Sequence, residues 1–168
     1  MKTDLFTYVG VFSRGLDTLA HVLNKAAEFA KEKGVSESEL LDWRLAPDMF
    51  PLRQQAQTVI RFAGQWPARA AGLPEPADPA DLESLAQLQE GIQKTKAALA
   101  ALKSEQFAGR DEVPLTINIG QIEPTFPVAQ WVPGFAVPNF YFHLSMAYAI
   151  LRNRGVQLGK RDFFAGGL

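Results

Sequence analysis

The sequence predicts an all-α fold: an up-and-down bundle of four long helices with a small β-hairpin, about residues 111–133, inserted before the last one. Three observations carry that prediction. Apolar residues recur at helical spacing over long stretches, glycines and prolines cluster between those stretches, and one short segment switches abruptly to a period of two. At 168 residues the chain is the size of one domain, and 47% apolar against 21% charged residues suits a single folded core spanning residues 1–168.

The first helix is read from Leu5, Val9, Phe12, Leu16, Leu19, Leu23 and Phe29, which share one helical stripe. Gly34 ends it, because glycine readily takes the left-handed conformation that closes a helix, and Lys31 and Lys33 complement the negative end of the dipole. Ser36 and Glu39 form a capping-box pattern that opens a short segment through Leu40, Leu41 and Trp43. Pro47 and Pro51 push the residues before them out of helical geometry, so 45–51 reads as a turn, with Pro51 leading into a second long helix over 52–71. Pro67 is expected to kink that helix or end it early.

The linker 72–79 is rich in proline and polar residues. A third long helix follows over 81–103, from Asp81 to Lys103, on the stripe Leu82, Leu85, Leu88, Ile92, Leu99 and Leu102. Val113, Leu115, Ile117 and Ile119 then alternate with Pro114, Thr116 and Asn118, the period of a half-buried strand, and Gly120 offers a turn. The return strand, Ile122 to Val132, is interrupted by Pro124, Pro127 and Pro133, which suits an edge or irregular pairing. The last helix is placed after Pro138, capped by Asn139, with Phe142, Met146, Ala149 and Ile150 inward, and it ends before Gly155.

Composition narrows the chemistry. A formal net charge of −1 provides no field for nucleic acid, whose binding rests on clustered cations. With no cysteine there is no disulfide, thiolate metal site or cysteine nucleophile. Asp4 interrupts the start of the chain where a signal peptide would be apolar, and no stretch approaches the ~18 apolar residues of a membrane span, so a cytoplasmic protein without membrane contact is expected. Phosphate loops, nucleophile elbows and two-histidine zinc helices are missing from the sequence.

Two histidines remain. His21, flanked by Leu19, Ala20, Val22 and Leu23, reads as a core residue. His143 lies in an aromatic segment expected to be largely buried, and two readings stand open for it. It is a core histidine satisfied by one neighbouring group, or it belongs to a functional cleft. Asp48 reads as a helix cap, or as a carboxylate that turns inward to orient His143 or pair with Arg44. Arg53, Arg61 and Arg69 are spaced by eight residues, a slow spiral that reads as a solvated face rather than an anion site.

The segments Arg44-Leu-Ala-Pro-Asp-Met-Phe-Pro-Leu52, Pro138-Asn-Phe-Tyr-Phe-His143, Ala147-Tyr-Ala-Ile-Leu-Arg152 and Gly155-Val-Gln-Leu-Gly-Lys-Arg-Asp-Phe163 resemble the signature of a bacterial family known only as a domain of unknown function. That family is similar to the DinB-like, or YfiT-like, superfamily of four-helix bundles. The resemblance implies that fold and a homodimer, with the apolar region 126–142 covering a neighbour's helices. Members of the superfamily typically hold a divalent metal through three histidines, one on the second long helix and two four residues apart on the last, and some are thiol-dependent transferases or isomerases. Here His143 stands for the first of the last-helix pair, but Ala147 follows four residues later, and 52–71 contains no histidine. One imidazole with at best a carboxylate from Asp48 falls short of three protein ligands. The expectation is therefore a binding or accessory protein without metal or cofactor, whose cleft near Asp48, His143, Arg44 and Tyr148 takes a small molecule or nothing. The alternative is a thiol-dependent transferase or isomerase using His143 and Asp48.

Overall fold

The computed structural model of the chain describes residues 4–78 and 82–167. Its helices are α1 (Thr7–Lys33), α2 (Glu37–Asp42), α3 (Leu52–Ala71), α4 (Leu85–Ala100), α5 (Val128–Trp131), α6 (Val137–Asn153) and α7 (Lys160–Phe163). Strands β1 (Pro114–Thr116) and β2 (Thr125–Pro127) pair antiparallel, Leu115 opposite Phe126. The four long helices are α1, α3, α4 and α6.

Local chemistry sets the boundaries. Gly34 closes α1 at φ 69°, its N–H donating to the Ala30 carbonyl, and the Ser36 hydroxyl caps α2 by accepting from the Glu39 N–H at 3.2 Å. For α4 the cap is reciprocal: Ser84 Oγ accepts the Gln87 N–H, and Gln87 Oε1 accepts the Ser84 N–H, both at 3.1 Å. The helix therefore starts at Leu85 rather than at Asp81, a position outside the described residues, and it stops at Ala100 before a 3₁₀ turn at Ser104–Phe107. Helix α3 runs through Pro67 to Ala71 without ending early. Pro67 sits one turn from the C-terminus, where its missing N–H costs a single helical bond, and its ring is buried against α1.

Strict up-and-down alternation is broken once. Arg53 pairs with Glu83, and Cβ atoms built on Gly91 and Gly64 would lie 3.5 Å from Ile60 and 3.7 Å from Thr95, so residue numbers rise together on α3 and α4. The linker carries the chain back along the bundle, and the helix directions are up, down, down, up. Bidentate Arg69–Glu75 at 2.6 Å and Gln65–Asp78 at 2.7 Å fasten that linker to α3.

The hairpin follows the predicted alternation, with Val113, Leu115 and Ile117 half-buried and Pro114, Thr116 and Asn118 exposed. Its return strand is shorter than expected. From Val128 the chain is helical, through α5 and a π turn at Val132–Ala136 into α6, so 128–132 is not strand and Asn139 lies inside a helix rather than capping it. Pro133 and Pro138, five residues apart, explain the π turn: neither has an N–H to give, and the Val137 N–H between them reaches the Val132 carbonyl five residues back. The inward stripe of α6 is Phe140, Leu144, Ala147, Ile150 and Leu151; Phe142 is 53% exposed. The Trp131 indole N–H donates to the Leu115 carbonyl at 2.7 Å and pins the hairpin to the bundle.

His21 is not in the core. Its side chain is 40% exposed, and Nε2 donates to Asp162 Oδ1 at 2.8 Å, with Lys25 Nζ 3.0 Å from the same oxygen and the Gly159 N–H 2.7 Å from Oδ2. Those hydrogen bonds, His21's foremost, hold the Asp162 carboxyl below the usual carboxylate range. The lowered value makes the attachment of α7 stable above the ordinary aspartate range, near pH 4, and progressively weaker as pH falls below it. Asp162→Asn is expected to cost about 1 kcal/mol, as partly exposed charged contacts do, and to raise amide exchange over residues 159–167 while leaving α6 unchanged. Unaltered exchange in that segment would refute the anchoring role.

Candidate functional site

The sequence-selected residues do not converge on one cleft. Asp48 is exposed in the turn before α3, where the Met49 N–H bonds the Ala46 carbonyl, and among the described residues its carboxylate neither caps α3 nor touches His143. Arg44 donates to the Asp42 carbonyl at 3.4 Å rather than to Asp48. Tyr148 packs edge-on against Phe163, on the side of α6 that faces the tail. It lies five residues from His143, roughly 140° around the helix.

His143 acquires different neighbours. Helices α3 and α6 run antiparallel, and their packing brings Gln55 of the buried α3 stripe to the imidazole: His143 Nδ1 lies 2.7 Å from Gln55 Oε1. Gln55 is 2% exposed, and its own Nε2 donates to the Phe50 carbonyl at 3.2 Å. With the amide nitrogen committed as donor, Oε1 must accept, so Nδ1 carries the ring proton and Nε2 presents a lone pair. Phe50 stacks near-parallel to the imidazole at 6.2 Å, Phe142 meets it edge-on at 5.3 Å, and Phe62 is tilted at 6.3 Å. Burial among these rings lowers the His143 pKa, and the positive Arg61 nearby lowers it further, so the ring is neutral at pH 7.

Sequence reasoning missed Gln55, Phe50, Phe62 and Arg61 as members of this cluster. Gln55 had left a signal. It falls three residues after Leu52 and four before Val59, a polar side chain on an apolar stripe, and such a residue must find a partner inside. Of the arginine row, Arg53 pairs with Asp42 and Glu83, and Arg69 pairs with Glu75 while covering the Trp66 ring. Arg61 has no carboxylate partner among the described residues and lies 5.8 Å over Phe62.

Comparison with known proteins bears on this geometry. A family model described as a domain of unknown function, DUF1993, matches residues 6–164. The chain belongs to that family. It is similar to the crystal structure of a DinB family member protein from Shewanella denitrificans, with 32% identity, a TM-score of 0.83, and coverage of 93% of this chain and 88% of that one. Compared with curated proteins, the sequence has no match. The fold is therefore a DinB-like helical bundle, and no helix among the described residues is long and apolar enough to cross a membrane.

The three-histidine metal pattern of the wider superfamily does not fit these residues. His143 has buried Ala147 four positions on, and α3 offers it an amide, not an imidazole. Among the described residues, no group of three or more histidine, cysteine, aspartate or glutamate side chains is placed to hold a metal ion. The nitrogen facing Gln55 is protonated, which leaves one donor, Nε2, where a catalytic metal takes three protein ligands.

Proposed function

We propose that this DinB-like bundle is a cytoplasmic binding or accessory protein that works without a metal, with the His143 cradle as its small-molecule site. The observation that carries the reading is the Gln55–His143 hydrogen bond. It fixes a neutral imidazole with its Nε2 lone pair directed away from Gln55, among the rings of Phe50, Phe62 and Phe142. Such a cradle suits a flat apolar ligand that brings one hydrogen-bond donor to Nε2. The homodimer implied by the family resemblance belongs to the same proposal, with exposed Phe126 and Phe142 as contact residues.

A transferase or isomerase mechanism has less support. Asp48, the carboxylate that would stabilise a protonated His143, is exposed and does not touch it, and the neutral Gln55 amide orients the ring without stabilising the imidazolium.

Phenol is a minimal probe of the cradle, with a flat ring and one O–H donor. In a histidine ring ¹⁵N–¹H spectrum at pH 7, His143 is expected as the Nδ1–H tautomer, and phenol titration should shift its Nε2 signal saturably while toluene does not. A ring signal indifferent to phenol, with His143→Ala merely lowering stability, would assign His143 to the core and end the ligand reading.

A further inference from the structure

Helix α6 is free of charge on both its inner and its outer face. The inner face is Phe140, Leu144, Ala147 and Leu151. At about 100° per residue, Pro138, Phe142, Ser145 and Ala149 form a second stripe, within about 60° of one another on the opposite side. Pro138 and Phe142 are exposed, and Ser145 and Ala149 are half-buried. Outer faces elsewhere in the bundle carry charge, such as Glu28 and Glu32 on α1 and Glu90 and Lys94 on α4. Residues 124–151, by contrast, contain no Asp, Glu, Lys or Arg in a chain that is 21% charged, and Arg152 breaks the run only at the end of the stripe. A helix that is apolar all round belongs in an interior. The single chain leaves one side of this helix open, and few charges with many aromatic rings is the composition of an interface core.

Two observations select a second copy as what covers it. Across a two-fold axis a stripe meets itself, so charge of either sign would oppose its own image, and this stripe has none to oppose. The open area is of the right order as well. Phe50 and Phe142, which flank His143, and Phe126 on the hairpin leave about 280 Å² of ring uncovered at roughly 200 Å² per phenylalanine, a third of the ~800 Å² that each partner of a stable complex covers. The stripe itself adds to that.

We infer that the outer stripe of α6 packs on the same stripe of a second copy, antiparallel about a two-fold axis near Ser145, and that this pairing closes the His143 cradle. Phe142 is the link. Its ring meets the imidazole edge-on at 5.3 Å and more than half of it is exposed, so whatever covers Phe142 stands at the mouth of the cradle. This closure rests on the cradle being a ligand site, as proposed above, and gives that site its missing wall. A ligand held among Phe50, Phe142 and His143 is shut from water in the dimer alone. By linkage, the ligand tightens the dimer by the same factor that dimer formation tightens the ligand.

Sedimentation equilibrium of the full chain tests the pairing, and His143 ring spectra test the closure. The natural chain is expected as a dimer. Ser145 lies about 200° around α6 from His143, so a substitution there does not line the cradle. Ser145→Arg and Ser145→Glu should each be monomeric with an unchanged melting temperature, because the new charge faces its own image. An equimolar mixture of the two should be dimeric again. Phenol, read from the His143 Nε2 shift, should bind the natural dimer at least fivefold more tightly than the Ser145→Arg monomer. A monomeric natural chain, whether it stays free or is taken up by phosphatidylcholine vesicles, would overturn the pairing, and so would a dimer that neither charge disrupts. Equal phenol affinity in dimer and monomer would overturn the closure and leave the cradle standing, whereas a ring signal indifferent to phenol in both would remove the cradle and the closure together.

Discussion

Replacing Gly15 by leucine is expected to destabilise the protein by about 3 kcal/mol, at the upper end for overpacked cores, and to lower its melting temperature by roughly 6–12 °C. The reason is a close crossing of α1 and α6. A Cβ at Gly15 would lie 2.3 Å from Phe140 Cε1 and 2.4 Å from Cζ, far inside contact distance, and Phe140 is fully buried against Phe12. The ring cannot swing out of a filled core, so either it leaves its rotamer or the helices separate. Separation would also carry His143, one turn after Phe140 on α6, away from α3. Gly15→Ala should be milder, because the roughly 1 kcal/mol that alanine gains over glycine in a helix offsets part of the clash. Phe140→Leu should cost less in a Gly15→Ala background than alone, since the smaller side chain leaves room for the methyl group. Purely additive losses would show that the crossing is not the source of the effect.

The second large effect is expected at Gln55. Gln55→Leu keeps the volume and removes both of its hydrogen bonds, leaving the Phe50 carbonyl and the His143 Nδ1–H without their partner, a loss of about 2–6 kcal/mol at 1–3 kcal/mol for each orphaned group. It should also release the ring from a single tautomer. Gln55→Glu separates the electrostatic part from the packing part. In the natural protein His143 has a pKa below its ordinary value of 6.5, so the folded state binds fewer protons than the unfolded one, and stability is lost as pH falls through that value. A glutamate in contact with Nδ1 favours the imidazolium instead and raises the histidine pKa. The contribution of the pair is then present below pH 6.5 and is lost as pH rises, the opposite slope. Denaturant midpoints measured between pH 5 and 8 for the natural protein and the two variants report the sign directly. Parallel pH profiles for the natural protein and the Gln55→Glu variant would mean that the side chain at this position does not govern His143.

The long helices were legible because each is amphipathic on its own and is closed by local signals. Gly34 and Ser36 act at the boundaries read from them, whereas the Ser84 cap of α4 went unread and that helix was started too early, at Asp81. What failed was punctuation by proline. Pro67 read as a kink or an early end, Pro133 as an interruption of a strand and Pro138 as the residue before the last helix, yet the chain stays helical through each of them, since a missing N–H late in a helix or across a widened turn removes few bonds. Helix direction was illegible for another reason: nothing local distinguishes a linker that turns straight back from one that runs the length of the bundle. The candidate site was half visible. His143 stood out by its aromatic surroundings, but its partner comes from 88 residues earlier in the chain, and choosing Gln55 over the nearby carboxylate Asp48 required the register of α3 against α6. His21 misled because the apolar residues beside it lie on a different face of α1 from its own.

If this bundle holds His143 as a lone neutral imidazole and works without a metal, elemental analysis tests it most directly, on untagged protein as purified and after incubation with zinc, nickel and manganese. Far less than one metal ion per chain is expected in every condition, with no difference between the natural protein and His143→Ala. Near-stoichiometric metal that disappears on His143→Ala would contradict a metal-free site, and would show that other side chains complete a ligand set around Nε2.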